Sequence, residues 1–162
     1  MLDGTAGAAA RSEVRRFTLL EGFVAGALAM LTFHQPAAGV LHALGAYPVA
    51  PFDLSPKPSG LPALLNGMVW SGGWGVLFLL LRRAGLAPRL PLAPAAVAYC
   101  ALVPIGFLFL VLAPFQGMPL FFGLPAWVAG CVVLAHACWG FGIALWLAGL
   151  RGLLGRDMPG PG

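Results

Sequence analysis

Charge is scarce in this chain. Five residues are Asp or Glu and nine are Lys or Arg, 9% of 162 in all, where a soluble domain carries ~25%. Several chemistries are excluded at once. There is no P-loop, no GxSxG elbow, no HExxH, and no pair of carboxylates within one apolar run. The three cysteines, Cys100, Cys131 and Cys138, all fall inside apolar runs, so a disulfide framework is not expected. Cys131 and Cys138 share a helix face but are too far apart along it to bond. No CxxC metal clip is present, and small apolar packing is the plain reading of all three.

What is abundant is apolar surface. Hydrophobic residues make up 60% of the chain and the mean hydropathy is +0.91. The apolar runs approach the ~20 residues that a bilayer span requires. Four spans are expected, at about 17–35, 62–81, 92–113 and 125–150. They are preceded by a tail over 1–16 and followed by one over 151–162. Eight of the nine basic residues fall on one side of this arrangement: Arg11, Arg15 and Arg16, then Arg82, Arg83 and Arg89, then Arg151 and Arg156. Lys57 alone lies in a connection on the other side. The positive-inside rule therefore puts both termini in the cytoplasm. The net charge of +4 is spread over three segments, which suits anionic lipid headgroups and not nucleic acid.

Proline punctuates the spans. Pro36 is expected to interrupt span one, because it lacks the amide the helix ladder needs, with a separate short helix from Ala37 to Gly45. An outer loop over 36–61 holds Pro48, Pro51, Pro56 and Pro58 yet stays apolar through Tyr47, Val49, Phe52 and Leu54. It is expected to lie on the membrane surface or fold over the helix ends. Pro104 is expected to kink span three. A cleaved signal ending near Ala27-Leu28-Ala29 is the alternative for span one. Glu21 inside the run, and its continuation to Phe33, argue against cleavage.

Gly60-Leu-Pro-Ala-Leu-Leu-Asn-Gly-Met-Val69 and Gly123-Leu-Pro-Ala-Trp-Val-Ala-Gly-Cys-Val132 match at six of ten positions. Each is followed by a Trp-Gly pair, Trp74-Gly75 and Trp139-Gly140. Phe33-His-Gln-Pro36 is echoed weakly by Pro114-Phe-Gln-Gly-Met-Pro119. The fold expected is an all-α membrane protein, four transmembrane helices built as a duplicated hairpin. Coincidence in a chain rich in Gly, Leu, Pro and Ala is the alternative. Small residues are expected to carry the helix contacts: Gly22 and Gly26 on span one, Gly67, Ser71 and Gly75 on span two, Gly130 and Gly140 on span four.

The polar residues within the spans are the candidate site. His136 lies eleven residues past Pro125, ~16 Å down its span, where an ionisable group is costly. A neutral histidine bonded to backbone is the plain alternative. By the repeat, Gly73 is the position equivalent to His136; if spans two and four face each other, the imidazole can fill the space at Gly73, and Asn66, on the same face as Gly73, can line a polar cleft with His136. Glu21 lies ~6 Å inside the opposite end and can pair with arginines or join a proton path. His34, Gln35 and His42 are weaker outer-side candidates; bonding to the backbone around Pro36 is their plainer role, and a metal shared by His34 and His42 the alternative. A bis-histidine haem matches poorly, since His34 is read as near the surface and His136 as central. Trp127 and Trp146 are expected at the interfaces.

At Phe33-His-Gln-Pro36, Pro51-Phe-Asp-Leu-Ser-Pro56 and Trp70-Ser-Gly-Gly-Trp-Gly75 the chain resembles small four-span bacterial membrane proteins without assigned function. The resemblance implies no residue roles. The expectation is a non-enzymatic protein of the bacterial inner membrane, an accessory or helix-packing component with the lipid bilayer, its own copies or a larger complex as partners. No cofactor is expected. A small oligomeric transporter or channel with a path through Asn66 and His136 is one alternative, and a haem- or metal-binding membrane protein another.

Overall fold

Among the described residues, four helices long and apolar enough to cross a bilayer make up an all-helical, multi-pass protein: α1 (Leu19–Ala43), α2 (Ala63–Arg83), α3 (Leu92–Phe115) and α4 (Ala126–Leu153). The computed structural model describes residues 17–86 and 90–153. The expected N-terminal tail, Arg89, and the C-terminal tail beyond residue 153 lie outside the described residues.

Helix α1 does not stop at Pro36, as its sequence had led us to expect. It widens to π geometry over Met30–His34 and continues in α form over Gln35–Ala43. The physical reason is local. A proline has no N–H for the carbonyl four residues back, and its ring would collide with it. A π turn immediately before the proline redirects the ladder: the Gln35 N–H bonds the Met30 carbonyl, five residues back. The short separate helix expected from Ala37 is therefore the last part of α1. Helix α3 uses the same device. It carries Pro104 within α geometry, turns π over Phe107–Leu112, and the Ala113 N–H bonds the Leu108 carbonyl just before Pro114. The structural echo thus pairs Gln35-Pro36 with Ala113-Pro114, a different register from the one the side chains suggest.

Each hairpin closes on small residues. A Cβ on Gly75 would stand 2.2 Å from the Gly22 carbonyl oxygen, and one on Gly26 would stand 2.3 Å from that of Ser71. In the second hairpin a Cβ on Gly140 would lie 2.4 Å from the Ala96 carbonyl oxygen. Helix α4 also packs along α1, where Gly142 meets Phe33 and Ala29 and the Trp139 indole donates to the Gly26 carbonyl (3.0 Å). The backbones of α2 and α3 stay apart. Long side chains bridge them: Trp74 on Phe107, Phe78 on Tyr99, and the Tyr99 hydroxyl donating to the Trp74 carbonyl (3.1 Å). The bundle is therefore open on that side.

At the arginine end Phe17 is buried, the Arg151 guanidinium lies 5.0 Å above its ring, and Arg83 donates to its carbonyl. At the other end the Pro-rich loop folds over the helices. The Asp53 and Ser55 carbonyls accept from the Leu64 and Ala63 amides, satisfying first-turn donors of α2. The Gln35 side-chain oxygen accepts from the Phe52 amide (2.7 Å), and Pro51 sits over Gly39.

Candidate functional site

Because α1 runs through Pro36, His34 sits nine residues below its loop end, ~14 Å deep at ~1.5 Å per residue. His136 is ten residues into α4, ~15 Å from the same end. The two imidazoles meet edge to face with ring centres 4.7 Å apart and planes at 89°. This corrects the reading of His34 as a surface residue at a different depth from His136. Rings in direct contact leave no gap for a porphyrin between them, so a bis-histidine haem does not fit.

The pair borders a cavity of about 460 Å³ in the opening between α2 and α3, within the size range of small-molecule sites. Asn66, Ser71 and Tyr47 add polar groups to its wall, and Trp70, Trp74 and Trp139 give it a large aromatic share. A second cavity of about 250 Å³ lies under the Pro-rich loop, with Gln35, Asp53 and Lys57 on its wall. Met30, His34 and Tyr47 line both. These three side chains stand where the loop-side cavity meets the deeper cleft.

Hydrogen bonding sets the state of each ring. The Val132 carbonyl can only accept, so at 2.9 Å it fixes a proton on His136 Nδ1. His136 Nε2 makes no hydrogen bond to the described residues and carries the lone pair of the neutral ring. The Tyr47 hydroxyl lies 3.5 Å from His34 Nε2, the outer limit of a hydrogen bond, while His34 Nδ1 is buried without a partner. His34 itself is only 5% exposed. A buried imidazole nitrogen without a partner in native protein calls for a reason.

The other sequence candidates separate. Asn66 shares the cleft with His136. Gly73 does not face His136; a Cβ there would meet nothing within 4 Å. Glu21 is in the first turn of α1 and closes a capping box with Thr18, its carboxylate accepting from the Thr18 hydroxyl (2.8 Å) while its amide donates to that hydroxyl (3.1 Å). It lies thirteen residues, ~20 Å, from His34 along the helix and takes no part in the cleft. His42 is exposed, and its Nδ1 bonds the Tyr47 carbonyl (2.9 Å), holding the start of the loop. Its ring is not among the groups around His34. Gln35 anchors the loop. Gly67 touches the tip of Met30, a Cβ there lying 3.2 Å from the methyl, and Gly130 meets nothing within 4 Å, so it is not a packing contact within the monomer. Trp127 is exposed, whereas Trp146 donates to the Thr32 hydroxyl (2.9 Å).

Outside the spans, burial pushes the Tyr47 phenol up to about 12. The Asp53 carboxyl is held below its ordinary value by the Ser55 amide, then by the Ser55 hydroxyl, with Lys57 at 3.7 Å adding less. Sequence reasoning missed Met30 and Tyr47. Met30 reads as one more apolar residue, and Tyr47 comes into play only once the loop folds back. The available signal was spacing: Met30 and His34 are four apart on one helix face.

No protein family, curated protein or solved structure matches this chain significantly.

Proposed function

We propose that this chain is a solute-binding membrane protein that admits a small molecule or ion from the loop side into the cleft between α2 and α3. The observation that carries this reading is the meeting of two cavities at Met30, His34 and Tyr47. Ionisable groups at mid-membrane depth are costly, and those found there mark ion or substrate paths. In this reading the arginine-rich segments lie in the cytoplasm of a bacterial inner-membrane protein, and the Pro-rich loop faces outward.

The test is accessibility. With Cys100, Cys131 and Cys138 replaced by alanine, Ser71→Cys should react with a membrane-impermeant maleimide added outside intact cells. Phe78→Cys, on the same helix but away from the cleft that Ser71 lines, should not. Equal protection of both positions would sink the reading.

A second reading, an accessory component of a larger assembly, is favoured by the open faces at Gly73 and Gly130, where another helix has room to approach. Purification in mild detergent followed by mass spectrometry separates the two. A stoichiometric partner supports the accessory role, and a homogeneous homo-oligomer supports solute binding.

A further inference from the structure

We propose that His34, His136 and Met30 form a binding site for monovalent copper at the floor of the cleft. The inference rests on the solute-binding reading and names the ligand class.

His136 carries the hydrogen-bond pattern that metal-ligating histidines show, with one nitrogen held by an oxygen partner and the other free, and His34 approaches it with the Tyr47 hydroxyl at 3.5 Å. His136 gives Nδ1–H to the Val132 carbonyl and leaves Nε2 open. His34 has Nε2 beside the Tyr47 hydroxyl and leaves Nδ1 buried and unpartnered. Their spacing also fits. Two imidazoles bound at roughly 2 Å to one ion at a near-tetrahedral angle hold their ring centres roughly 5 Å apart. Here the separation is 4.7 Å. Met30 opens the π segment that His34 closes, lies about one turn below it, and lines the same cavity.

The donor set selects the ion. Among the described residues no three of His, Cys, Asp and Glu gather at one point, so a carboxylate- or thiolate-rich dication site is absent there. Asp53 borders the neighbouring cavity, and none of the three cysteines lines the cleft. Two neutral imidazoles and a thioether leave the charge of the ion uncompensated in an apolar setting, which penalises a dication far more than a monocation. Thioether sulfur favours soft Cu(I) among the biological metals.

The experiment is a competition for Cu(I) between the purified full chain, in the background lacking Cys100, Cys131 and Cys138, and the coloured chelator bicinchoninate under ascorbate. The chain should withdraw a single Cu(I). His34→Ala and His136→Ala should each weaken it by at least about tenfold, as should Met30→Leu, which preserves volume. X-ray absorption of the loaded chain in the same background should show nitrogen and sulfur scatterers together, a readout that needs no change at His34, His136 or Met30. A chelator that keeps all its copper, or a shell without sulfur, would overturn the proposal. If Ser71→Cys is reachable from outside and copper still fails to bind, the copper site falls and solute binding stands. If neither is seen, both fall.

Discussion

His34 on α1 and His136 on α4 touch edge to face at a ring separation of 4.7 Å, ~14–15 Å below the loop end of the bundle. Residues in contact couple energetically. Alanine at both positions should therefore change stability by an amount that differs from the sum of the single changes by about 0.5 kcal/mol or more. Thermal unfolding of the four proteins in one detergent measures it; strict additivity would mean that the rings do not meet.

The glycines divide into two groups with opposite expected signs. Gly26→Ala, Gly75→Ala and Gly140→Ala each drive a methyl into a backbone carbonyl of the neighbouring helix, at 2.2 to 2.4 Å. Each should destabilise by ~1–3 kcal/mol, the usual range for overpacking. Gly73→Ala and Gly130→Ala meet open space, and relief of glycine's helix penalty should leave stability unchanged or raised by up to ~1 kcal/mol. Melting temperatures of the five variants check both signs.

Tyr47 should titrate late. Burial favours the neutral phenol in the folded chain, raising it from 10.0 to about 12. Its contribution to stability is thus complete below pH 10 and is lost as the pH climbs through about 12. Tyr99→Phe leaves Tyr47 as the one tyrosine, since the chain has two. Phenolate absorbance in that variant should appear with a midpoint near 12; a midpoint near 10 would show an undocked hydroxyl in water.

The loop is pinned by Gln35. Its side-chain oxygen accepts the Phe52 amide at 2.7 Å, and Phe52 itself holds a left-handed backbone at φ 53°. Gln35→Leu keeps the bulk and removes the acceptor. Faster hydrogen exchange at Phe52 and its neighbours is expected, with the Gly26–Ser71 crossing unaffected. Unchanged exchange would mean that other contacts hold the loop.

The bundle was legible in sequence because each of its signals is local. A run such as Leu92–Ala113 is apolar throughout, and any helix that long must lie in lipid or in a large core. The close approach at Gly75 and Gly140 was legible for a related reason: a small residue on a span's face admits a neighbouring backbone wherever the partner comes from. Gly130 lies on the same kind of small-residue face, yet no partner helix reaches it in the monomer.

The histidine site was not legible, and Pro36 is the reason. Proline's effect on a helix depends on whether the ladder can reroute, and at Met30–His34 it does so through i−5 bonds that no residue pattern announces. That single rerouting moves His34 from the surface to the depth of His136. Which helices then neighbour one another is a property of packing across the whole bundle. Helix α4 lies along α1, and α2 stands off from α3, so the cleft and the meeting of His34 with His136 arise from long-range contacts. Composition and the apolar runs specify that four helices form, but not that α1 runs on through Pro36 to Ala43. The order in which those helices pack, and hence which polar side chains meet, follows from close contacts between distant glycines and carbonyls, which no local window contains.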